Sequence, residues 1–75
     1  MSEFNYEVVK HVATLSESDN GYSVQVNVIS FNGRKPKLDI RTWRDEQMLK
    51  GICLDKTGAE ALLSALSSFD MSALD

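Results

Sequence analysis

Two Asn-Gly pairs, Asn20-Gly21 and Asn32-Gly33, constrain this chain more than any other feature. Both residue types tolerate positive φ, so Asn-Gly between β-prone runs predicts a type I′ hairpin turn. The flanking runs agree. Tyr22, Val24, Val26 and Val28 share one parity and Ser23, Gln25 and Asn27 the other, the alternation of a half-buried strand. Ile29 and Phe31 then add apolar groups to the polar side, which marks a bend, a bulge or a ligand surface. From about Phe4 to Leu15, Tyr6, Val8 and Val12 oppose Val9, Ala13 and Leu15, so both faces of this first strand are partly apolar. A third strand is expected from about Lys37 to Trp43, with Leu38 and Ile40 on one side and Asp39, Arg41 and Trp43 on the other. The polar loop RDEQM then leads to a fourth run, about Leu49 to Leu54.

Asp55 stands where a helix N-cap belongs. Beyond it Ala59, Leu62, Leu63, Leu66 and Phe69 recur at helical spacing, which predicts an amphipathic helix over Lys56 to Phe69. The tail DMSALD is expected to fray, or to prolong the helix through Met71 and Leu74. The class is therefore α+β: a four-stranded antiparallel sheet followed by one C-terminal helix, a single domain over residues 1–75. A domain this small buries only roughly 60% of the surface its unfolded chain exposes. Disulfides, metals and oligomerisation are the usual remedies. One cysteine, Cys53, excludes an internal disulfide, and one histidine, His11, excludes the usual Cys/His zinc arrangements. Oligomerisation is left, and a homodimer held by the Leu62, Leu63, Leu66 and Phe69 stripe is expected. No secretory signal or run of ~20 apolar residues is visible, so the expected setting is the cytoplasm.

The charge is unevenly placed. The chain carries −3 overall, yet the window from residue 34 to 56 holds seven of the eight Lys and Arg against four acids, a net +3. Such asymmetry points to a polyanion site on an acidic body. No Gly-rich phosphate loop or paired-carboxylate motif accompanies it, and His11 is the sole imidazole, midway along a strand. The chain reads as a non-enzyme with no cofactor, no metal site and no small-molecule substrate. Cys53, between Ile52 and Leu54, reads as a small buried apolar residue.

Trp43 shares a strand face with Arg41 and Asp39, and Phe31 falls on the polar side of its own strand. An antiparallel neighbour would bring Phe31, Arg41 and Trp43 onto one surface, with Arg34, Lys35 and Lys37 around the turn. Rings between cations suit single-stranded nucleic acid, whose bases stack while phosphates meet the cations. Equally, Trp43 and Phe31 could complete a second small core. A carboxylate among such cations, Asp39, is expected to orient a neighbouring Arg or Lys, or to bond a loop amide.

The order PKLDIRTW, a polar loop, LKGICL and a capped amphipathic helix resembles the core domain of the positive cofactor four (transcriptional coactivator) family, in its bacterial YdbC-like branch. The resemblance spans about Tyr22 to Phe69 and rests on Asp39-Ile40-Arg41 followed by Trp43, and on Lys50-Gly51-Ile52 followed by Leu54. It implies a curved sheet, pairing through the helices, and sequence-nonspecific binding of single-stranded DNA in transcription, replication or repair. It implies that Arg41 and Lys50 meet phosphates and that Trp43, and approximately Phe31, stack on bases. Arg34, Lys35, Lys37 and Arg44 complete the expected nucleic-acid surface. If the source is bacterial, association with the nucleoid is implied as well. Two rivals remain at this stage: an RNA-binding module on the same surface, and a dimeric protein-interaction domain that docks a partner on Trp43.

Overall fold

The computed structural model describes residues 5–75; the expected strand start at Phe4 lies outside them. The elements are β1 (Tyr6–Glu17), β2 (Tyr22–Phe31), β3 (Lys37–Arg44), β4 (Gln47–Leu54), α1 (Lys56–Ser67) and a 3₁₀ turn, Met71–Leu74. The strands form one open antiparallel sheet in the order β1-β2-β3-β4, so β1 and β4 are its edges. The expected α+β class, four strands and then a helix, is what the chain forms.

The turns differ from one another. Asn32 and Gly33 both have positive φ (53° and 73°), as a type I′ turn requires, and the Arg34 amide donates to the Phe31 carbonyl. At the first pair only Gly21 is left-handed, at φ 85°. There the loop is Ser18 to Gly21: the Gly21 amide donates to the Ser18 carbonyl and the Ser18 amide to the Tyr22 carbonyl. The expected type I′ turn at Asn20-Gly21 is thus replaced by a longer reversal that needs one left-handed residue at its end. The expected RDEQM loop shrinks to Asp45-Glu46, because Arg44 already pairs with Gln47. Asp45 takes the positive φ (52°) that this short reversal demands.

Register assigns the faces. β2 and β3 pair without interruption, which sets Ser23, Gln25, Asn27, Ile29 and Phe31 beside Lys37, Asp39, Arg41 and Trp43. Tyr22, Val24, Val26 and Val28 share the opposite face with Leu38, Ile40, Thr42 and Arg44. β1 is irregular. Val9, Val12 and Leu15 each lack a partner on β2, three bulges at three-residue intervals. Each extra residue resets the alternation, which explains why β1 looks apolar on both sides in sequence.

β4 carries a further bulge, since Leu49 and Lys50 together oppose Thr42. Gly51 faces Arg41 across the pair, and a Cβ there would lie 2.6 Å from the Arg41 Cα and the Ile40 carbonyl oxygen. That position admits no side chain.

The helix begins as expected, with the Asp55 carboxylate accepting from the Gly58 amide at 2.8 Å. It stops at Ser67 rather than Phe69, and Asp70 caps the separate Met71–Leu74 turn. Its first turn rests on Leu54, and it touches only β3 and β4. The described chain has a radius of gyration of 14.1 Å, against about 11 Å for a compact chain of this length. Among the described residues only Ile29 and Trp43 are buried apolar groups.

Gly51→Ala is expected to lower stability by roughly 1–3 kcal/mol, the usual cost of overpacking. A urea midpoint equal to that of the unsubstituted protein would show that β4 does not close on Arg41 in this register.

Candidate nucleic-acid interface

Among the described residues the four that are buried, Asn27, Ile29, Asp39 and Trp43, all lie on the odd-numbered face of β2 and β3. That face is the inside of the curve. Tyr6 pairs with Phe31 and Trp43 with Ser23, positions about 26 Å apart along an extended β2. Yet the Tyr6 and Trp43 rings meet edge to face with centroids 6.1 Å apart. The sheet curls enough for its two ends to touch across the concavity.

At the bottom of the curve sits an ion pair. Asp39 is 0% exposed, and its carboxylate accepts from Arg41 Nε at 2.6 Å and from Arg41 Nη2. The Arg41 Nη1 donates to the Leu49 carbonyl at 2.9 Å, so the same guanidinium pins the β4 bulge. The expected orienting role of Asp39 is seen directly. Arg41 is 12% exposed in its side chain, lies 5.9 Å from the Phe31 ring centroid, and has its pKa raised chiefly by the Asp39 hydrogen bond. Cys53 is exposed, a correction to the buried residue expected. Its thiol donates to Asp39 at 3.2 Å, and desolvation together with that carboxylate pushes its pKa up, so it stays protonated.

A hydrogen-bonded ladder runs beside this pair. The Asn27 amide nitrogen donates to Gln25 Oε1 (3.2 Å), and the Gln25 amide nitrogen donates to Ser23 Oγ (2.9 Å). Asn27 Oδ1 is therefore an acceptor, and His11 Nδ1 donates to it at 2.6 Å. The Thr14 hydroxyl lies 3.2 Å from the other imidazole nitrogen, within hydrogen-bond distance. Sequence reasoning missed this ladder, although the run Ser23, Gln25, Asn27 on one parity was its signal. It also missed Tyr6 as a ring of this face.

The ladder borders an open cleft of about 540 Å³. Tyr6, Val8 and Trp43 give the cleft its apolar lining, and Asp45 and Glu46 bring carboxylates to it. Trp43, 6% exposed, leaves its indole Nε1 buried and without a hydrogen-bond partner.

The sequence-predicted residues separate. Phe31, Lys37, Arg41 and Trp43 share the concave face by register. Arg34 and Lys35 are exposed in the β2–β3 loop that opens beside it. Arg44 lies on the other face, its guanidinium 5.4 Å from the Tyr22 ring centroid. Lys50 is exposed in the β4 bulge, next to Gly51. Trp43 is closer to the core reading than to an openly offered ring. Among the described residues no cluster of His, Cys, Asp and Glu could hold a metal ion, and no helix is long and apolar enough to cross a membrane.

Arg41→Ala is expected to cost about 3–5 kcal/mol, because it strands a buried carboxylate. A loss below about 1 kcal/mol in urea unfolding would mean that the pair is open in solution.

Comparison with known proteins places this geometry. Residues 18–65 match the family of Transcriptional Coactivator p15 (PC4). An uncharacterised protein of Treponema pallidum (strain Nichols) is 41% identical over 71 residues, covering 92% of this chain and 84% of the relative. The match takes in β2, β3, β4 and most of α1, the elements that build the curved face, whereas Tyr6 and His11 precede it. The fold is a nucleic-acid-binding one, in a family of DNA-binding domains rather than enzymes. The chain belongs to the PC4 family.

Proposed function

We propose that the chain works as a homodimer that binds single-stranded DNA in its concave face, holding strands of many sequences. One observation carries this reading: the rings of Phe31, Tyr6 and Trp43 line the same curved surface that ends at the exposed cations Arg34, Lys35 and Lys37. Bases have π faces and phosphates have charge, and a surface with both ingredients suits a strand whose bases are unpaired. Phosphates run along the β2–β3 loop, with Lys50 and the remaining Nη1 proton of Arg41 as further donors. The carboxylates at the opposite end repel them. Bases stack on Phe31 and Tyr6, and on Trp43 where Tyr6 moves aside.

The dimer is supported by what one copy leaves uncovered. Leu63 is 69% exposed, Leu66 48% and Phe69 42%, while Leu62 is half-buried. On the sheet, Val9, Val12 and Leu15, the unpaired residues of the β1 bulges, stand half or more exposed. A second copy that covers these surfaces supplies the core that one chain lacks.

A fluorescein-labelled mixed-sequence 20-mer tests the nucleic-acid reading by anisotropy, with duplex and RNA of the same sequence as competitors. About four phosphate contacts give a slope of log K against log salt of about −3, hence roughly fifty-fold weaker binding at 200 than at 50 mM salt. Duplex DNA, whose bases are stacked on each other, is expected to compete poorly. No binding at 50 mM salt refutes the reading, and stronger competition by RNA assigns the surface to RNA.

The dimer has its own test. Burying one Leu side chain contributes roughly 1.5–3 kcal/mol. Leu66→Asp, at a position already exposed in the single chain, is expected to yield a smaller, folded species in sedimentation. An unsubstituted protein that sediments as a monomer at micromolar concentration refutes the dimer.

A further inference from the structure

The cleft on the concave face has hydrogen-bonding capacity of two kinds, and they lie together. Within the ladder the amide oxygens of Asn27 and Gln25 are already engaged, by His11 and Asn27 respectively. The nitrogen of Gln25 has two protons and uses one, on Ser23. The indole Nε1 of Trp43 is a donor with no acceptor at all. A buried donor left unsatisfied is costly, and so an acceptor brought in by a ligand is favoured there. Asp45 and Glu46 add pure acceptors to the same lining. These carboxylates exclude phosphate from the cleft by charge, and the apolar lining from Tyr6, Val8 and Trp43 favours something flat and uncharged.

We propose that this cleft is a base-selecting pocket for cytosine or guanine, with Asp45 and Glu46 as its specificity-determining residues. The inference rests on the single-strand reading above and goes beyond it, since that reading has no base preference. The chemistry is that of matched edges. Cytosine and guanine each present a carbonyl oxygen and an exocyclic amino group on one edge. The carbonyl suits the unsatisfied donors of Trp43 and Gln25, and the amino group suits a carboxylate. Thymine and uracil have two carbonyls flanking one ring N–H and no amino group, so in the orientation that cytosine takes they place an acceptor against a carboxylate. Adenine has the amino group and no carbonyl; its acceptors are the ring nitrogens N1 and N7, which lie closer to the amino group than the carbonyl of cytosine or guanine does. One pocket in each copy biases the strand without dictating its sequence.

The test compares dC15 with dT15, both in anisotropy competition against the labelled 20-mer in 100 mM salt. Cytosine is expected to win by about tenfold, the low end of a good bidentate discrimination. The salt slopes of dC15 and dT15 are expected to agree, because a neutral base releases no counterion. In the double variant Asp45→Asn, Glu46→Gln the ratio is expected to fall to about 1, chiefly through tighter dT15 binding. Asn keeps Asp45's positive φ accessible and Gln preserves size, and circular dichroism checks that both chains fold alike. A thymine single strand carrying one central dG is expected to outcompete dT15 as well, without the self-association of guanine runs. Equal affinity of the unsubstituted protein for dC15 and dT15 overturns the pocket while leaving the single-strand reading intact. A preference that survives in the double variant overturns the role of the carboxylates. Failure to bind any single strand overturns both readings.

Discussion

The Asp39–Arg41 pair is the interaction on which the rest depends. A carboxylate with no exposure is tolerated only when its charge is answered and its oxygens are bonded, and Arg41 does both. The guanidinium then has a third direction to use, and it takes the Leu49 carbonyl that the β4 bulge leaves without a ladder partner. One side chain thus joins the middle strand to the irregular edge strand at the point where the sheet bends. Gly51 is the steric complement of that arrangement, because the bulge brings β4 too near Arg41 for any side chain. Ion pair, bulge and glycine are one device, spread over three segments of sequence. The same device limits what Arg41 offers a ligand: a donor already held in place is oriented, and only part of it is available.

Most of the fold was legible in the sequence because it rests on local rules. Asn32-Gly33, the parity of β2 and β3, the Asp55 cap and the leucine spacing of α1 each have a short-range cause. The departures are equally physical. β1 could not be assigned a single apolar face, since bulges at Val9, Val12 and Leu15 shift its parity three times and no local signal announces them. The β3–β4 reversal is shorter than the polar run RDEQM suggests because Asp45, a residue that tolerates positive φ less readily than glycine, serves as its pivot. Cys53 was misplaced by its apolar neighbours, although alternation sets it beside Asp39 on the polar face.

The site was legible in its membership on one face and illegible in its depth. Parity placed Phe31, Arg41 and Trp43 together, and register agrees. What parity does not report is curvature. A flat sheet would have presented Trp43 to solvent, whereas the curled one folds Tyr6 against it from the far end of β1. Curvature also turns scattered polar residues from two strands into the continuous series His11, Asn27, Gln25, Ser23. Charge followed the same logic. The basic window divides between the faces, with Lys37 on the inner surface and Arg44 on the outer.

The bulges have a further consequence, for how the molecule avoids unwanted company. An edge strand with a regular row of unpaired amides and carbonyls is a template on which another chain's strand can grow. Here both edge strands are broken, β1 at three places and β4 at one, while the interior pair β2–β3 is regular. An interrupted edge cannot hold a long register with a newcomer. Open-ended ribbon growth is thereby discouraged in a small chain that leaves several valines and leucines exposed.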